Sequence, residues 1–155
     1  FSSRFTWRGF SLSLLLSAQI GGDIYNKKKA AMYRNLIHED CDQYQKKETH
    51  KKPTRYYLHL YAAHAPNSRF VEDATHLKLR QLSLSYTFTQ LPFLPADVSP
   101  FEKMTIGISG RNLFTLSSYS GFEPDVSLGK TTFYRVDDFT YPSYTSFSLF
   151  FKLSI

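Results

Sequence analysis

The sequence predicts an all-β chain made of antiparallel strands from a transmembrane barrel, and three observations carry that prediction. First, long runs alternate between apolar residues and small polar ones, the period-two signature of a strand with two unlike faces. Second, the connections between those runs go long, short, long, over residues 21–76, 90–102 and 114–143. An up-and-down outer-membrane barrel makes that rhythm from long external loops and short periplasmic turns. Third, aromatics make up 17% of the chain, rich for a soluble domain and ordinary for a lipid-facing wall with aromatic girdles.

The first strand is predicted over residues 6–20. Phe10, Leu12, Leu14, Leu16, Ala18 and Ile20 share one face, and Ser11, Ser13, Leu15, Ser17 and Gln19 the other. Trp7 stands near its start, where an interfacial aromatic belongs. Residues 23–66 form a long excursion. Ala30, Tyr33, Arg34, Ile37, Cys41 and Tyr44 recur at spacings of three and four, which predicts a short amphipathic helix over residues 27–45. A polar stretch ends near Pro53, and Tyr56, Leu58 and Leu60 then alternate as a short strand would.

The second long strand covers residues 77–89, with Leu82, Leu84, Tyr86 and Phe88 facing away from Gln81, Ser83, Ser85 and Thr87. Its start is inverted: Leu77 and Leu79 fall on the opposite parity, which fits an end that rises into water. Prolines punctuate the turn that follows. The third strand, residues 103–113, alternates Met104, Ile106 and Ile108 with Thr105, Gly107 and Ser109. The last, residues 144–155, sets Phe147, Leu149, Phe151, Leu153 and Ile155 against Ser146, Ser148, Phe150, Lys152 and Ser154. In the matching orientation Trp7, Tyr86 and Phe88 mark the inner girdle, Phe114 and Tyr144 the outer one, and the C-terminus is periplasmic.

At 155 residues the chain is long enough for one domain with a sizeable core. It starts at Phe1 without a charged-then-apolar leader, so we expect a removed signal peptide or a longer parent chain. No run of about 18 apolar residues is present, which excludes a transmembrane helix. The net charge of +6 does not point to nucleic acid, because the basic residues crowd into the polar segment of residues 27–55 and no basic strand face with spaced aromatic stacking platforms is evident. Cys41 is alone, so no internal disulfide and no cysteine-based metal centre can form. Four long strands cannot close a membrane barrel, whose smallest members use eight, and an open sheet in lipid would strand backbone polar groups. Most of the barrel is therefore expected in chain outside these residues.

Five segments, in order, carry a resemblance. Asn67 to Ala74, running into Leu77-Lys78-Leu79-Arg80-Gln81-Leu82-Ser83-Leu84-Ser85-Tyr86, resembles the RF-x-EDGSYLRLKN-x-x-LGY segment of SusC/RagA-type TonB-linked outer-membrane proteins. Here Ala74-Thr75-His76 stands for their Gly-Ser-Tyr. Ser109-Gly110-Arg111-Asn112-Leu113-Phe114-Thr115 resembles their SGQNLFT, and Tyr119-Ser120-Gly121-Phe122-Glu123-Pro124-Asp125-Val126 their YSGYDPEV. Tyr141-Pro142 resembles their YPxxRTF, and Gly22 to Asn26 fits as well.

The resemblance implies a 22-stranded barrel with a plugged lumen. This chain would supply its C-terminal strands and two external loops, one carrying a short helix, without the N-terminal plug. It also implies active import of oligosaccharides or peptides across the outer membrane, a SusD-like surface lipoprotein as lid, and TonB–ExbB–ExbD as the energy source. Outer-membrane lipid and lipopolysaccharide would surround the wall.

No nucleophile elbow, phosphate loop, paired catalytic carboxylates or His-Glu-x-x-His spacing is present, so we expect no enzyme and no cofactor. His38, Glu39, Asp40 and Cys41 are adjacent and do not share a helix face, which argues against a metal site. The candidate solute-contacting residues are Ser83, Ser85, Ser109 and Arg111 on the lumen side. In the last loop they are Tyr119, Phe122 and Tyr134, with Phe133 and Tyr141 as neighbours whose rings could stack on sugars or dock a lid. The rival expectation is a soluble secreted β-sandwich that binds glycans through those aromatic loops.

Overall fold

The computed structural model describes residues 1–61, 67–89, 103–125 and 135–154. Its elements are β1 (Ser2–Trp7), β2 (Phe10–Gln19), β3 (Asp23–Asn26), α1 (Lys27–Arg34), α2 (Thr54–Tyr61), β4 (Val71–Asp73), β5 (His76–Phe88), β6 (Lys103–Ser117), β7 (Arg135–Asp137) and β8 (Ser146–Ser154). They divide into two compact units: residues 1–19, 76–116 and 143–155 in one, residues 20–75 and 117–142 in the other.

The first unit is a five-stranded sheet in the order β1-β2-β5-β6-β8, with β1–β2, β2–β5 and β6–β8 antiparallel. Registers align like with like. Phe5 faces Leu12, Leu12 faces Leu84, Ile106 faces Phe151 and Ile108 faces Leu149. On the reverse side Ser11 faces Ser85, Ser13 faces Ser83 and Ser109 faces Ser148. The apolar face is left bare: Phe147 is 71% exposed and Leu149 66%. Among the described residues no second sheet covers it, so the sandwich alternative has no inner layer to stand on.

Two sequence expectations are corrected here. The strand expected over residues 6–20 is β2 from Phe10 on, but its first residues, Thr6 and Trp7, end a separate strand joined to it by a hairpin turn. Arg8 (φ 44°) and Gly9 (φ 88°) both occupy left-handed backbone, as the two-residue turns that match strand twist require. The preceding Ser2–Trp7 is a fifth strand, whose Phe5 and Trp7 continue the apolar face.

The inverted start of the second long strand is likewise not an end rising into water. Leu15 pairs with Gln81 but Leu16 pairs with Leu79, so Arg80 is an extra residue in β5. Such a bulge places two successive side chains opposite one. Leu77 and Leu79 thereby return to the face of Leu82 and Leu84.

The second unit is built on a small sheet in the order β4-β3-β7, with β3 antiparallel to β4 and parallel to β7. Ala30, Tyr33, Tyr57 and Phe70 form one buried cluster, with Tyr25, Cys41 and Leu60 against it. Ile24, Ala74 and Tyr119 form another. Asn26 caps α1, its side chain accepting from the Lys29 amide at 2.8 Å.

The expected helix over residues 27–45 stops at Arg34, because Leu36 takes φ 57°. Cys41 reaches the cluster from a separate 3-10 turn, Glu39–Cys41, while Ile37 and Tyr44 are exposed. The short strand expected around Tyr56–Leu60 is helix α2 instead. Tyr57 and Leu60, three apart, both meet the core, a spacing one helix face provides and one strand face does not.

Candidate functional site: a hydroxyl-lined sheet face and a loop cleft

The polar face of the large sheet is a band of small hydroxyls. Ser83 and Ser85 lie beside Ser13 and Ser11, and Ser109 lies beside Ser148. The hydroxyls of Thr87 and Thr105 hydrogen-bond at 2.9 Å. Arg111, opposite Ser146 at the end of the β6–β8 ladder, is exposed. At Gly107 the ring of Phe150 closes over the backbone. An added Cβ would meet its Cζ at 2.3 Å and the Ser85 Cβ at 2.8 Å. So all four predicted strand residues sit on one polar face, among short donors and acceptors, the guanidiniums of Arg4 and Arg111 and the ring of Phe150.

In the other unit the three predicted loop aromatics part company. Tyr119 is only 7% exposed, and its hydroxyl donates to the Asp137 carboxylate at 2.7 Å. Burial, then that hydrogen bond, push its phenol well above the usual range. It holds the loop together and has no face to offer a solute. Phe122 is 69% exposed, with the Lys28 ammonium 3.1 Å from its ring centroid. Tyr134 lies outside the described residues, as does Phe133. Tyr141 is almost fully exposed.

Sequence reading missed the hub between these loops. The Glu72 carboxylate accepts from the Ser120 amide and hydroxyl, both at 2.8 Å, from Lys29 Nζ at 3.0 Å and from Asn26 Nδ2 at 3.3 Å. Burial pushes its carboxyl up, but the Ser120 donors and Lys29 outweigh that and hold it below its ordinary value. The one available signal was Asn26 ahead of a lysine run, a helix cap. Nothing near Glu72 in the sequence announced three partners from distant segments.

A second network lies on α1. Tyr33 donates to Asp40 and stacks on His38, with centroids 4.4 Å apart. Burial and Asp40 raise the Tyr33 phenol to about 12 against the opposing pull of Arg69, and the same bond lowers Asp40. Between these networks opens a cleft of about 670 Å³, lined among others by Lys28, Met32, Ile37, Glu39, Asp40 and Phe122. Among the described residues no group of histidine, cysteine or carboxylate side chains has the geometry to hold a metal ion.

No protein-family model matches the chain. It is 22% identical over 127 residues to TonB-dependent receptor P3 of Formosa agariphila, an alignment covering 82% of this chain and 12% of that protein. Among solved structures it is similar to the RagAB peptide importer in its open-open state, with a TM-score of 0.66 and 20% identity over 97% of this chain and 16% of that one. The closed-closed state gives 0.64 and 19% over 98% and 17%.

The chain has the fold of the C-terminal part of a TonB-dependent barrel. The SusC/RagA resemblance carried by the five segments therefore extends to the backbone, over most of this chain. The barrel segment spans about an eighth of the curated relative's length and about a sixth of the RagAB chain's. The relatives named above are a receptor and an importer.

Proposed function

We propose that this chain is the C-terminal wall and part of the external loops of a TonB-dependent nutrient importer in a Gram-negative outer membrane. The observation that carries the reading is the apolar face of the five-stranded sheet: exposed on every strand, and backed by a face rich in serine and threonine. Only a lipid exterior makes that arrangement favourable, because in water the bare face would be an aggregation site. The edge strands β1 and β8 then pair with further barrel strands, which satisfies their backbone groups in hydrocarbon. The Arg8–Gly9 turn lies at the Tyr86 end of the sheet, as a short periplasmic turn would, and the C-terminus emerges on the periplasmic side.

In this reading the solute, an oligosaccharide or a peptide, is captured between the external loops and a SusD-like lipoprotein lid. It then passes along the hydroxyl-lined wall once TonB–ExbB–ExbD rearranges the plug. The wall needs only to stay wet and offer weak, replaceable hydrogen bonds, which Ser83, Ser85 and Ser109 do. The outer strand faces meet lipid and, in the external leaflet, lipopolysaccharide.

Paired substitutions in the full-length protein test the orientation. Leu149→Arg should destabilise the assembled barrel by about 2–4 kcal/mol at mid-membrane depth, read as a lower temperature for loss of the compact band on electrophoresis. Ser148→Lys, one residue away on the wet face, should leave that temperature nearly unchanged. Equal effects of the two would remove the basis for the lipid-facing assignment. Uptake that persists in cells lacking TonB would remove the active-import part.

A further inference from the structure

The helix α1 opens with Lys27, Lys28 and Lys29, the wrong sign for a helix N-terminus. Two of the three are neutralised within the loop unit: Lys27 pairs with Asp138 and Lys29 with Glu72. Lys28 has no carboxylate partner among the described residues. Its ammonium lies over the exposed ring of Phe122 at the cleft. A ring face attracts the cation but leaves its hydrogens free for an anion.

Asn26, Lys29, His38 and Ser120 add polar groups to the lining around Lys28, and the other side chains there are apolar or acidic. Met32 and Ile37 supply apolar surface, and Ile37 is exposed with no core role. Glu39 and Asp40 bring negative charge to the same cleft. Asp40 is already engaged by Tyr33, while Glu39 is exposed.

We infer that this cleft binds the C-terminal end of a short peptide, its carboxylate on Lys28 and its last side chain against Met32, Ile37 and the Phe122 ring. A single unneutralised cation suits a single carboxylate. Two acidic side chains nearby disfavour a polyanion such as a uronic-acid oligomer and accept the ammonium of a zwitterionic ligand. The apolar wall of Met32 and Ile37 suits an aliphatic side chain. The inference deepens the import reading and rests on it only for the ligand being a nutrient.

Calorimetric binding to the purified full-length transporter in detergent, with any lid that co-purifies, tests the site. The probes are a tripeptide ending in leucine, its C-terminal amide, and a uronic-acid trisaccharide. The free acid should bind at least about tenfold more tightly than the amide, the worth of one hydrogen bond to a charged group. Lys28→Gln should erase that difference and Lys28→Arg should keep it. Phe122→Ala should weaken the free acid without restoring the amide. Equal affinity for acid and amide, discrimination that survives in Lys28→Gln, preference for the trisaccharide, or no binding of the tripeptide at all would each overturn the assignment. The acid-against-amide comparison needs only the unaltered protein, so it stands even where a variant fails to fold. Because binding is read without transport, a failure of TonB-dependent uptake would sink the import reading and leave the cleft intact.

Discussion

Replacing Glu72 by alanine should loosen the loop unit, and the structure sets the size of the effect. The carboxylate is 15% exposed and its Lys29 partner 26%, so the site lies between a surface pair, worth at most about 1 kcal/mol, and a fully buried one, whose breaking costs about 3–5 kcal/mol. Glu72 also satisfies the Ser120 amide and the side chain of the buried Asn26. A lost hydrogen bond to a charged group counts for about 1.5–3 kcal/mol, and these partners act as one unit, so their values do not add.

Together these bracket a local destabilisation of about 2–4 kcal/mol. The assay is hydrogen exchange of the full-length protein, followed in peptides that contain Ser120. At about 1.36 kcal/mol per factor of ten, exchange that proceeds by local opening should quicken by about 30-fold or more in Glu72→Ala.

The same protection should depend on acidity with a definite sign. The folded carboxyl lies below its ordinary value of 4.5. Its contribution is therefore complete above that value and is lost as the pH falls from there through the depressed folded value. Unchanged exchange at Ser120 in the variant, or protection in the unaltered protein that does not decline in acid, would refute the reasoning.

Tyr119→Phe removes the hydroxyl that donates to Asp137, whose other carboxylate oxygen is buried without a hydrogen-bond partner among the described residues. That should cost about 1–3 kcal/mol, visible as faster proteolysis of the loops while the barrel keeps its melting temperature. Gly107→Ala drives a methyl into the Phe150 ring and the Ser85 Cβ. It should lower barrel stability by about 1–3 kcal/mol, and adding Phe150→Ala should recover part of the loss in a denaturant titration.

The sequence made the large sheet legible because every long strand there has two chemically unlike faces. Leu82-Ser83-Leu84-Ser85 and Phe147-Ser148-Leu149 announce their period without help from neighbours. The hairpin at Arg8–Gly9 was hidden because Ser2–Trp7 is short and Trp7 reads equally well as the end of one strand or the start of the next. The loop unit resisted for another reason. Its helices are eight residues long, below the length at which local propensity decides, and their shape is set by Tyr33, Tyr57 and Phe70 packing across large sequence separations. At the site, the shared polar face of Ser83, Ser85 and Ser109 could be placed from alternation alone. The burial of Tyr119 and the gathering of Glu72, Lys29 and Ser120 depend on tertiary contacts that no local pattern encodes.

The surplus residue at Arg80 makes one position in β5 unlike the others. Losing a single codon elsewhere in the strand would throw everything downstream onto the opposite face, setting apolar residues among the hydroxyls. Losing the one for Arg80 would heal the ladder instead, since Leu77, Leu79, Leu82 and Leu84 would then count evenly. At this position β5 can be shortened by one step with its two faces kept apart.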